Sequence, residues 1–581
     1  MTPGTRRSPH PPSQPRPSFL RHLIRGVDAT LTAADGSFPA LAAALIIADM
    51  AMAVVVSRAV PYTEIDWAAY MEQVRTAAAG ERNYRAIRGG TGPLVYPAVF
   101  LYVYAALAAL PSAAAVGVAF AVLHAATVGL YVAAYRRAYV ALAIGASGGG
   151  QLKGGVANGP SHSLSPATTA RAALVSLLLP CVLLPLSRRV LSLYVLRFFN
   201  DGVEAAVAAA ALLLFSYNAW TAGTLVYSLA VGIKMNALLL APALAVLLFQ
   251  ARGPLGGTAL VGLAGVVQLV VGAPFLAAGR AEAVAYVAKA FELDRAFLQK
   301  WSVNGAAYSA ETFSSATLSR SLLGVHLGLL LAFGHTHWAA ASGGLPGLIG
   351  FDRLLGGGSG SGGGGGGGSG GGGVHPRMAA AATTAVDSPV TPAATRGVAA
   401  TQPPLPIPSA ATTTTSTTTT ATATATSAAT SAATSPTTPT LSPSGWWAWA
   451  TAYPPRRLTP AHTLRTLLTA NLIGVAAART LHYQFYAWYW HSLPWLAVVA
   501  AGAPTSKPAG LGGGAAWAAA VAAHLGVVAV IEVVFNIYPP RPIAAVALHA
   551  AHAVLLLGLW HAPSPAVWED EEERGDALKR L

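Results

Sequence analysis

Long apolar runs separated by short polar stretches dominate the pattern of the chain. Runs at residues 38–56, 113–135, 259–278 and 515–535 contain almost no charged side chains. Each is about as long as an α-helix that crosses the apolar core of a bilayer, and the full pattern predicts about 10–13 such helices. The predicted fold is that of an all-α polytopic membrane protein.

A polar stretch follows the first run, at residues 61–94. Within it, "DWAAYMEQV" places Trp67, Tyr70, Met71 and Val74 at positions i, i+3, i+4 and i+7. This spacing predicts a short amphipathic helix. Such a helix would lie along the membrane surface.

Residues 355–444 interrupt the alternation. They contain "GGGSGSGGGGGGGSGGGGV" and "ATTTTSTTTTATATATSAATSAATSPTTPT", with almost no large apolar side chains. Such a segment cannot bury enough surface to offset its ordering entropy, so we predict disorder. We interpret it as an insertion in a surface loop rather than a glycosylated or signalling stalk. It separates a first transmembrane module (38–354) from a second (445–562), and a charged tail (563–581) ends the chain.

Composition supports the membrane assignment, since 54% of residues are hydrophobic and 10% are charged. The net charge of +14 is scattered, which argues against a nucleic-acid partner. The arm at residues 1–37 holds five Arg and no apolar core. It is predicted to be cytosolic and uncleaved, so stretches 61–94 and 279–320 face the opposite, luminal side. The single cysteine, Cys181, excludes a disulfide and a cysteine-based zinc site.

Two carboxylates, Glu64 and Asp66, stand just beyond the first run. At headgroup depth a partly desolvated carboxylate has a raised pKa and suits a general base. The alternative is that Asp66 only caps the next helix. The following "RGGTGPLVYP" contains Gly89, Gly90 and Gly92, which suit either a ligand phosphate or an ordinary turn.

Ionisable residues also stand at the edges of later apolar runs. Arg197, Asn200 and Asp201 precede one run, as functional groups or as helix caps. Lys234 and Asn236 lie in an apolar context, where a lysine needs a cavity, a phosphate or a path to an interface.

The second polar stretch, 279–320, contains "FELDRAFLQKWSVN". Arg295, Lys300 and Trp301 suit a sugar phosphate, with a cation on the phosphate and the indole against the sugar, although an interfacial helix has the same composition. Neither polar stretch contains D-x-D, and the chain lacks G-x-x-x-x-G-K-[ST], G-x-S-x-G and H-E-x-x-H. A metal-bound nucleotide sugar is therefore not the expected donor.

The segment "HYQFYAWYWHSLPW", residues 482–495, is dense in Tyr, Phe and Trp. An interfacial aromatic belt would explain the rings. It does not explain His482, Gln484 and His491, so the residues alone leave open whether the segment is such a belt or lines a site.

The order of seven segments carries a family resemblance. They are "YTEIDWAAYMEQV", "GGTGPLVYPA", "VLRFFND", "SLAVGIKMNALLLAPAL", "FELDRAFLQKWSVN", "TANLIGVAAARTLHYQFYAWYWHSLPWL" and "EVVFNIYPP". Together they resemble the dolichyl-phosphate-mannose-dependent α-1,3-mannosyltransferases of asparagine-linked glycosylation, over residues 38–350 and 455–562.

The resemblance implies a multi-pass protein of the endoplasmic reticulum membrane with a C-type glycosyltransferase (GT-C) fold and a luminal active site. It implies inverting transfer of mannose from dolichyl-phosphate-mannose to the lipid-linked oligosaccharide Man5GlcNAc2-PP-dolichol. No metal, cofactor or obligate protein partner is expected. The alternatives are a sibling transferase with another lipid-linked acceptor, and a polyprenyl-lipid transporter or scramblase without chemistry.

The resemblance also assigns roles to residues. Asp66 is the expected base, with Glu64 as the fallback, and Arg295, Lys300, Arg197 and His482 are the candidates to stabilise the leaving phosphate. With the resemblance, segment 482–495 is expected to form one wall of the lipid-linked sugar site. The segment from Gly305 to Phe313 departs from the family pattern, which carries an aromatic and basic pair there. The other predicted substrate-binding residues are Thr91, Gly92, Tyr96, Asn200, Asp201, Lys234, Asn236, Trp301, Asn304, Gln484, Tyr486 and His491.

Overall fold

The structure is a computed structural model that describes residues 37–148, 166–292, 297–348, 455–502 and 513–569. All of them belong to one compact unit, formed by residues 1–357 and 443–581. The predicted N-terminal arm, the predicted insertion and Arg295 lie outside the described residues.

The described chain is almost entirely helical, which confirms the all-α prediction. A two-residue antiparallel pair, β1 (Arg88–Gly89) with β2 (Gly92–Pro93), interrupts it. Short 3₁₀ helices occupy Met235–Leu240, Tyr483–Trp488 and Trp490–Ser492. The helices are α1 (Phe38–Ala59), α2 (Trp67–Ala78), α3 (Ala98–Ala108), α4 (Ala113–Gly148), α5 (Pro166–Leu183), α6 (Arg188–Val195), α7 (Asn200–Ser216), α8 (Trp220–Ile233), α9 (Ala241–Leu276), α10 (Arg280–Ala290), α11 (Ala310–Ser314), α12 (Ala316–Phe333), α13 (Gly344–Leu348), α14 (Pro460–Ala476), α15 (Leu493–Ala500), α16 (Gly513–Phe535) and α17 (Pro542–His561).

Six described stretches are long and apolar enough to cross a membrane, and a seventh is formed if α5 and α6, bent by 50°, make one span. The protein is therefore a multi-pass membrane protein. This number is lower than the predicted 10–13, because apolar helices such as α3 and α8 are too short to qualify alone. Gly253, with φ of 68°, and Pro254 break α9, so the predicted span 259–278 is its second half.

Helix α14 is buried along nearly its whole length. It packs against α4, α7, α9 and α17. Several polar side chains bond inside the bundle: the Thr459 side chain caps the first turn of α14, and His462 contacts the Gln250 amide at 3.1 Å. Arg465 donates to the last carbonyls of α17, at Leu559 and Ala562. The second module is thus built into the first.

The two ends of helix α7 serve to name the two ends of the bundle. At 1.5 Å per residue it is about 25 Å long, with Asn200 at one end and Asn218 just beyond the other. At the Asn218 end, the chain around Leu458 exchanges hydrogen bonds with the Asn218 side chain. At the Asn200 end, Lys234 bonds to Asp201. We refer to the Asn200 end as the site end.

Helix α2 and the β1–β2 hairpin form one layer at the site end. Tyr70 and Val74 are buried, and Trp67 and Met71 pack beside them, which confirms the predicted apolar face of α2. The hairpin turn is tied to this helix, since the Glu72 carboxylate accepts from the Gly90 N–H at 2.8 Å.

Candidate active site

Glu64 and Asp66 have different roles in the structure. The Glu64 carboxylate accepts from the Ala68 N–H at 3.1 Å and from the Tyr62 hydroxyl at 2.6 Å. Asp66 occupies the N-cap position of α2, but its side chain makes no capping hydrogen bond. The interpretation of Asp66 as a simple helix cap is therefore wrong, because Glu64 serves the first turn and leaves the Asp66 carboxylate available.

The Asp66 side chain is half-buried beneath the hairpin. Burial raises its pKa above the ordinary value, while a hydrogen bond from the Thr91 side chain and the nearby Lys234 charge act in the opposite direction. The Tyr70 hydroxyl lies 3.5 Å from Oδ2, at the long limit of a hydrogen bond. The Tyr96 hydroxyl lies 3.4 Å from that of Tyr70. Asp66 is thus a partly desolvated carboxylate beside hydroxyl groups.

A buried ionic cluster lies next to Asp66. The Lys234 ammonium donates to Asp201 Oδ1 at 2.7 Å and to Asn200 Oδ1 at 3.2 Å. The Trp488 indole N–H donates to the same Asp201 oxygen at 2.6 Å. The N-cap of α7 is Phe199, so the interpretation of Asn200 and Asp201 as helix caps is wrong. Lys234 is buried and does not extend to an interface, so the snorkelling alternative is also wrong.

Three aromatic rings enclose the Lys234 ammonium. Their centroids lie at 5.7 Å (Tyr96), 6.0 Å (Phe485) and 5.7 Å (Trp488). With Asp201 neutralising its charge at close range, this lysine organises the cluster rather than offering a free cation to a phosphate.

Glu204 is a member of the cluster that the sequence analysis missed. It is buried on α7, one turn after Asn200 and Asp201, and its Oε2 accepts from the Asn236 amide at 2.9 Å. The signal was present in "NDGVE", where positions i, i+1 and i+4 share one helix face.

The aromatic segment 482–495 divides into two faces. Phe485 and Trp488 stack at 3.7 Å and face Lys234, and His482 lies 6.3 Å from the Trp301 ring. Gln484 is half-buried. This face lies beside the Lys234 cluster, and its role as a wall of the substrate site stays a prediction.

The other face of the segment packs into the bundle. The Tyr486 ring stacks on Phe535 at 4.7 Å, and the His491 ring stacks on Tyr131 at 5.2 Å. These rings are fully buried, so an interfacial belt does not describe them. Substrate contact by Tyr486 and His491 stays a prediction.

Asn304 joins the second polar stretch to this segment. Its Oδ1 accepts from the Leu481 N–H at 2.7 Å, and its Nδ2 donates to the Ala478 carbonyl at 2.8 Å. Next to it, Ser302 and His482 form an antiparallel bridge. The geometry gives Asn304 a positioning role, and direct substrate contact by it stays a prediction.

Lys300, Arg197 and His482, three of the residues predicted for the phosphate, lie outside the buried Lys234 cluster, and we refer to these three residues as the rim. Lys300 is exposed beside Trp301, whose ring stacks on Tyr538 at 5.5 Å. Arg197 donates to the Ser192 hydroxyl and is half-buried. Near it, the Thr63 N–H donates to the Leu196 carbonyl at 3.0 Å, which ties the Asp66 loop to the chain before α7.

Phe198, between Arg197 and α7, was not singled out by the sequence analysis. Its φ of 52° is unusual for a bulky residue. Tyr62 stacks on its ring at 5.0 Å, and the Tyr104 hydroxyl donates to its carbonyl at 2.7 Å. No sequence signal identifies this conformation, which tertiary contacts impose.

The divergent Gly305–Phe313 segment has a basic neighbour from elsewhere in the chain. Arg479 donates to the Phe313 carbonyl at 3.1 Å, and its guanidinium lies 5.7 Å from the Phe313 ring. An aromatic and basic pair therefore exists here, although the two residues are distant in sequence.

The described residues contain no group of three or more His, Cys, Asp or Glu placed to hold a metal ion. Independence of metal stays a prediction.

Comparisons with known proteins extend over most of the chain. The ALG3 protein family matches residues 43–145 and 168–545. The Dol-P-Man:Man(5)GlcNAc(2)-PP-Dol alpha-1,3-mannosyltransferase of Arabidopsis thaliana is 31% identical over 523 residues, covering 90% of this chain and 87% of the relative. The Drosophila melanogaster Dolichyl-P-Man:Man5GlcNAc2-PP-dolichol alpha-1,3-mannosyltransferase Alg3 is 31% identical, covering 90% and 86%. The Homo sapiens Dol-P-Man:Man(5)GlcNAc(2)-PP-Dol alpha-1,3-mannosyltransferase is 28% identical, covering 90% and 87%.

No solved structure matches the chain. The family match spans both transmembrane modules and every segment that contributes to the cluster around Lys234. The chain belongs to the ALG3 protein family.

Proposed function

We propose that the protein transfers mannose from dolichyl-phosphate-mannose to Man5GlcNAc2-PP-dolichol in α-1,3 linkage. Its relatives carry this activity in their names, over about nine-tenths of the chain. The observation that carries the proposal is the Asp66 carboxylate, which is half-buried, released from helix capping and placed between Thr91 and the Lys234 cluster.

The reaction needs one base and an in-line displacement. The acceptor's hydroxyl oxygen attacks C1 of the donor mannose, the bond from C1 to the phosphate oxygen breaks, and dolichyl phosphate leaves. Asp66 takes the hydroxyl proton. Because the hydroxyl attacks C1 from the face opposite the leaving phosphate, the configuration at C1 inverts from β to α. A positioned base of this kind contributes about 10² to 10⁴ in rate.

The leaving phosphate gains charge as the bond breaks and needs cationic or hydrogen-bonding partners. Lys234 is already neutralised by Asp201, so we assign this role to the rim residues Lys300, Arg197 and His482. Arg295, which lies in the same polar stretch as Lys300, is a further candidate. No metal or cofactor has a role in this scheme, and the donor and acceptor lipids are the only partners it requires.

The site end faces the lumen of the endoplasmic reticulum in this proposal, and the architecture is that of a GT-C glycosyltransferase. Both statements follow from the role of the family in lipid-linked oligosaccharide assembly. The GT-C assignment is supported by a multi-pass helical bundle whose candidate base lies in the loop after its first span.

The test is an in vitro transfer assay with purified protein, dolichyl-phosphate-mannose and Man5GlcNAc2-PP-dolichol. We expect a six-mannose product with a new α-1,3 linkage. Asp66→Asn should lower the rate at least about 100-fold, because the amide cannot accept the proton.

Glu64→Gln is the matched control. Its amide oxygen can still accept from the Ala68 N–H, so we expect most activity to remain. Full activity in Asp66→Asn at normal protein abundance would overturn the assignment of the base. A product with another linkage, or lipid movement without a new glycosidic bond, would overturn the proposed function.

A further inference from the structure

The buried cluster contains polar atoms with no partner among the described residues. They are Nδ2 of Asn200, Oδ2 of Asp201 and Oδ1 of Asn236. Asn200 and Asp201 are fully buried, and an unsatisfied buried polar atom costs about 1–3 kcal/mol. At three such atoms in one cluster, a ligand or an internal water can complete the hydrogen bonding.

The identity of each free atom follows from its bonded partner. Lys234 can only donate, so Asn200 must present its oxygen to Lys234, which leaves its NH₂ free. In the structure Asn236 presents its NH₂ to Glu204 Oε2, which leaves its oxygen free. Asp201 uses Oδ1 for both Lys234 and Trp488, which leaves Oδ2. The cluster thus offers one donor group and two acceptors.

This set does not suit a phosphate. A phosphate dianion has only acceptor oxygens, so it would be repelled by Asp201 Oδ2 and would leave the Asn236 oxygen unpaired. Sugar hydroxyls both donate and accept, and can satisfy all three atoms. The aromatic wall of Tyr96 and Trp488 beside the cluster suits the apolar face of a sugar ring.

We propose that Asn200, Asp201 and Asn236 form a subsite for the hydroxyls of a mannose residue, and that Glu204 is a positioning residue that orients Asn236. This inference rests on the proposed function, and it separates sugar recognition in the buried cluster from phosphate recognition at the rim. The mannose belongs either to the donor lipid or to the end of the acceptor glycan.

The experiment compares lipids with and without the sugar. Purified wild type and Asn236→Ala are assayed for binding of dolichyl-phosphate-mannose and of dolichyl phosphate, and for KM with donor and acceptor. For a donor subsite we expect Asn236→Ala to weaken dolichyl-phosphate-mannose binding about tenfold, with dolichyl phosphate binding unchanged within about twofold. For an acceptor subsite the KM for Man5GlcNAc2-PP-dolichol rises instead.

Asn536→Ala is the matched control, because it deletes an exposed amide that bonds only to Glu532 of its own helix in the described structure. It should change neither binding constant. Equal loss of dolichyl phosphate and dolichyl-phosphate-mannose binding in Asn236→Ala would overturn the subsite. So would unchanged binding and KM for both sugar-bearing lipids, which would mean that internal water fills the cluster.

Glu204 is tested by a conservative and a disruptive change. The oxygen of Glu204→Gln can still accept from Asn236, so this variant should keep most of the affinity for the sugar-bearing lipid. Glu204→Leu should match Asn236→Ala, and equal loss in both Glu204 variants would overturn the positioning role. If the wild type prefers dolichyl-phosphate-mannose over dolichyl phosphate but transfers nothing, the proposed function fails while the subsite stands.

Discussion

At the residue scale, the main result is that two neighbouring carboxylates have different contacts and therefore different roles. Glu64 serves the first turn of α2, and Asp66 is left beside Thr91. The sequence could place both acids in one loop but could not rank them by geometry. The ranking depends on which of the two carboxylates accepts the hydrogen bond from the Ala68 N–H. The path of the chain into α2 decides this.

The hydrogen bond from Thr91 to Asp66 should affect how the transfer rate depends on pH. Asp66 must be ionised to accept a proton, so kcat/KM falls as the pH drops through its pKa. Burial raises that pKa, so the acidic limb should lie above the ordinary aspartate value of about 3.9. Thr91→Val removes a bond that favours the ionised form, which raises the pKa further, so the limb should move to higher pH.

The measurement is a pH–rate profile of the transfer reaction. Thr76→Val is the control. Thr76 lies on α2, the helix that follows Asp66, and its hydroxyl bonds to the backbone carbonyl of Glu72 rather than to Asp66. A limb that stays in place in Thr91→Val would show that Asp66 is not the titrating base.

At the scale of elements, the contact between α2 and the β1–β2 hairpin sets the position of Thr91. A Cβ added at Gly89 would lie 2.5 Å from the Ala69 carbonyl oxygen. At Gly90 the nearest atom would be a Glu72 carboxylate oxygen at 3.9 Å. Of these two adjacent glycines, Gly90 therefore has room for a larger side chain and Gly89 does not.

We expect Gly89→Ala to lower the free energy of unfolding by about 1–3 kcal/mol and to lower activity, because the hairpin must move away from α2. Gly90→Ala should be close to wild type in both. Thermal unfolding in detergent and the transfer assay measure the two effects. Equal stability of the two variants would contradict the close packing at Gly89.

The elements also show what the sequence could and could not supply. The apolar face of α2 followed from spacing, because Tyr70 and Val74 had to pack against something. The shared face of Asn200, Asp201 and Glu204 was readable from helical periodicity, although Glu204 was missed. Lys234, which bonds to two residues of this face, lies more than 30 residues later in the chain. No local sequence pattern predicts that contact.

At the scale of the whole molecule, the two transmembrane modules form one packed body. Helix α14 is enclosed by α4, α7, α9 and α17, and the chain before it is fixed by two hydrogen bonds between Asn218 and Leu458. The Tyr135 hydroxyl of α4 donates to the His491 carbonyl of the aromatic segment. These contacts hold the second module in place without help from the connecting residues.

We therefore expect a chain cut within residues 355–444 to stay assembled. Two fragments, 1–354 and 445–581, co-expressed in the same membrane should copurify and transfer mannose at a rate within about tenfold of the intact chain, since a covalent connection between packed parts contributes mainly effective concentration. Asn218→Ala in the first fragment, which removes both hydrogen bonds to Leu458 of the second fragment, should weaken copurification. Fragments that never associate would show that the tether is required.

The enclosure of α14 also has a consequence for biosynthesis. Helices α4, α7 and α9, which line one part of the slot that α14 fills, are made before Leu348, whereas α14 begins only at Pro460 and α17, which lines the other part, follows it. At about 5–20 residues per second, translation of the intervening chain takes roughly 5–20 s. During that interval the nascent protein holds an open cleft in the membrane, with Gln250 lacking its His462 partner. Surveillance of the unfinished chain by membrane chaperones should concentrate on that cleft.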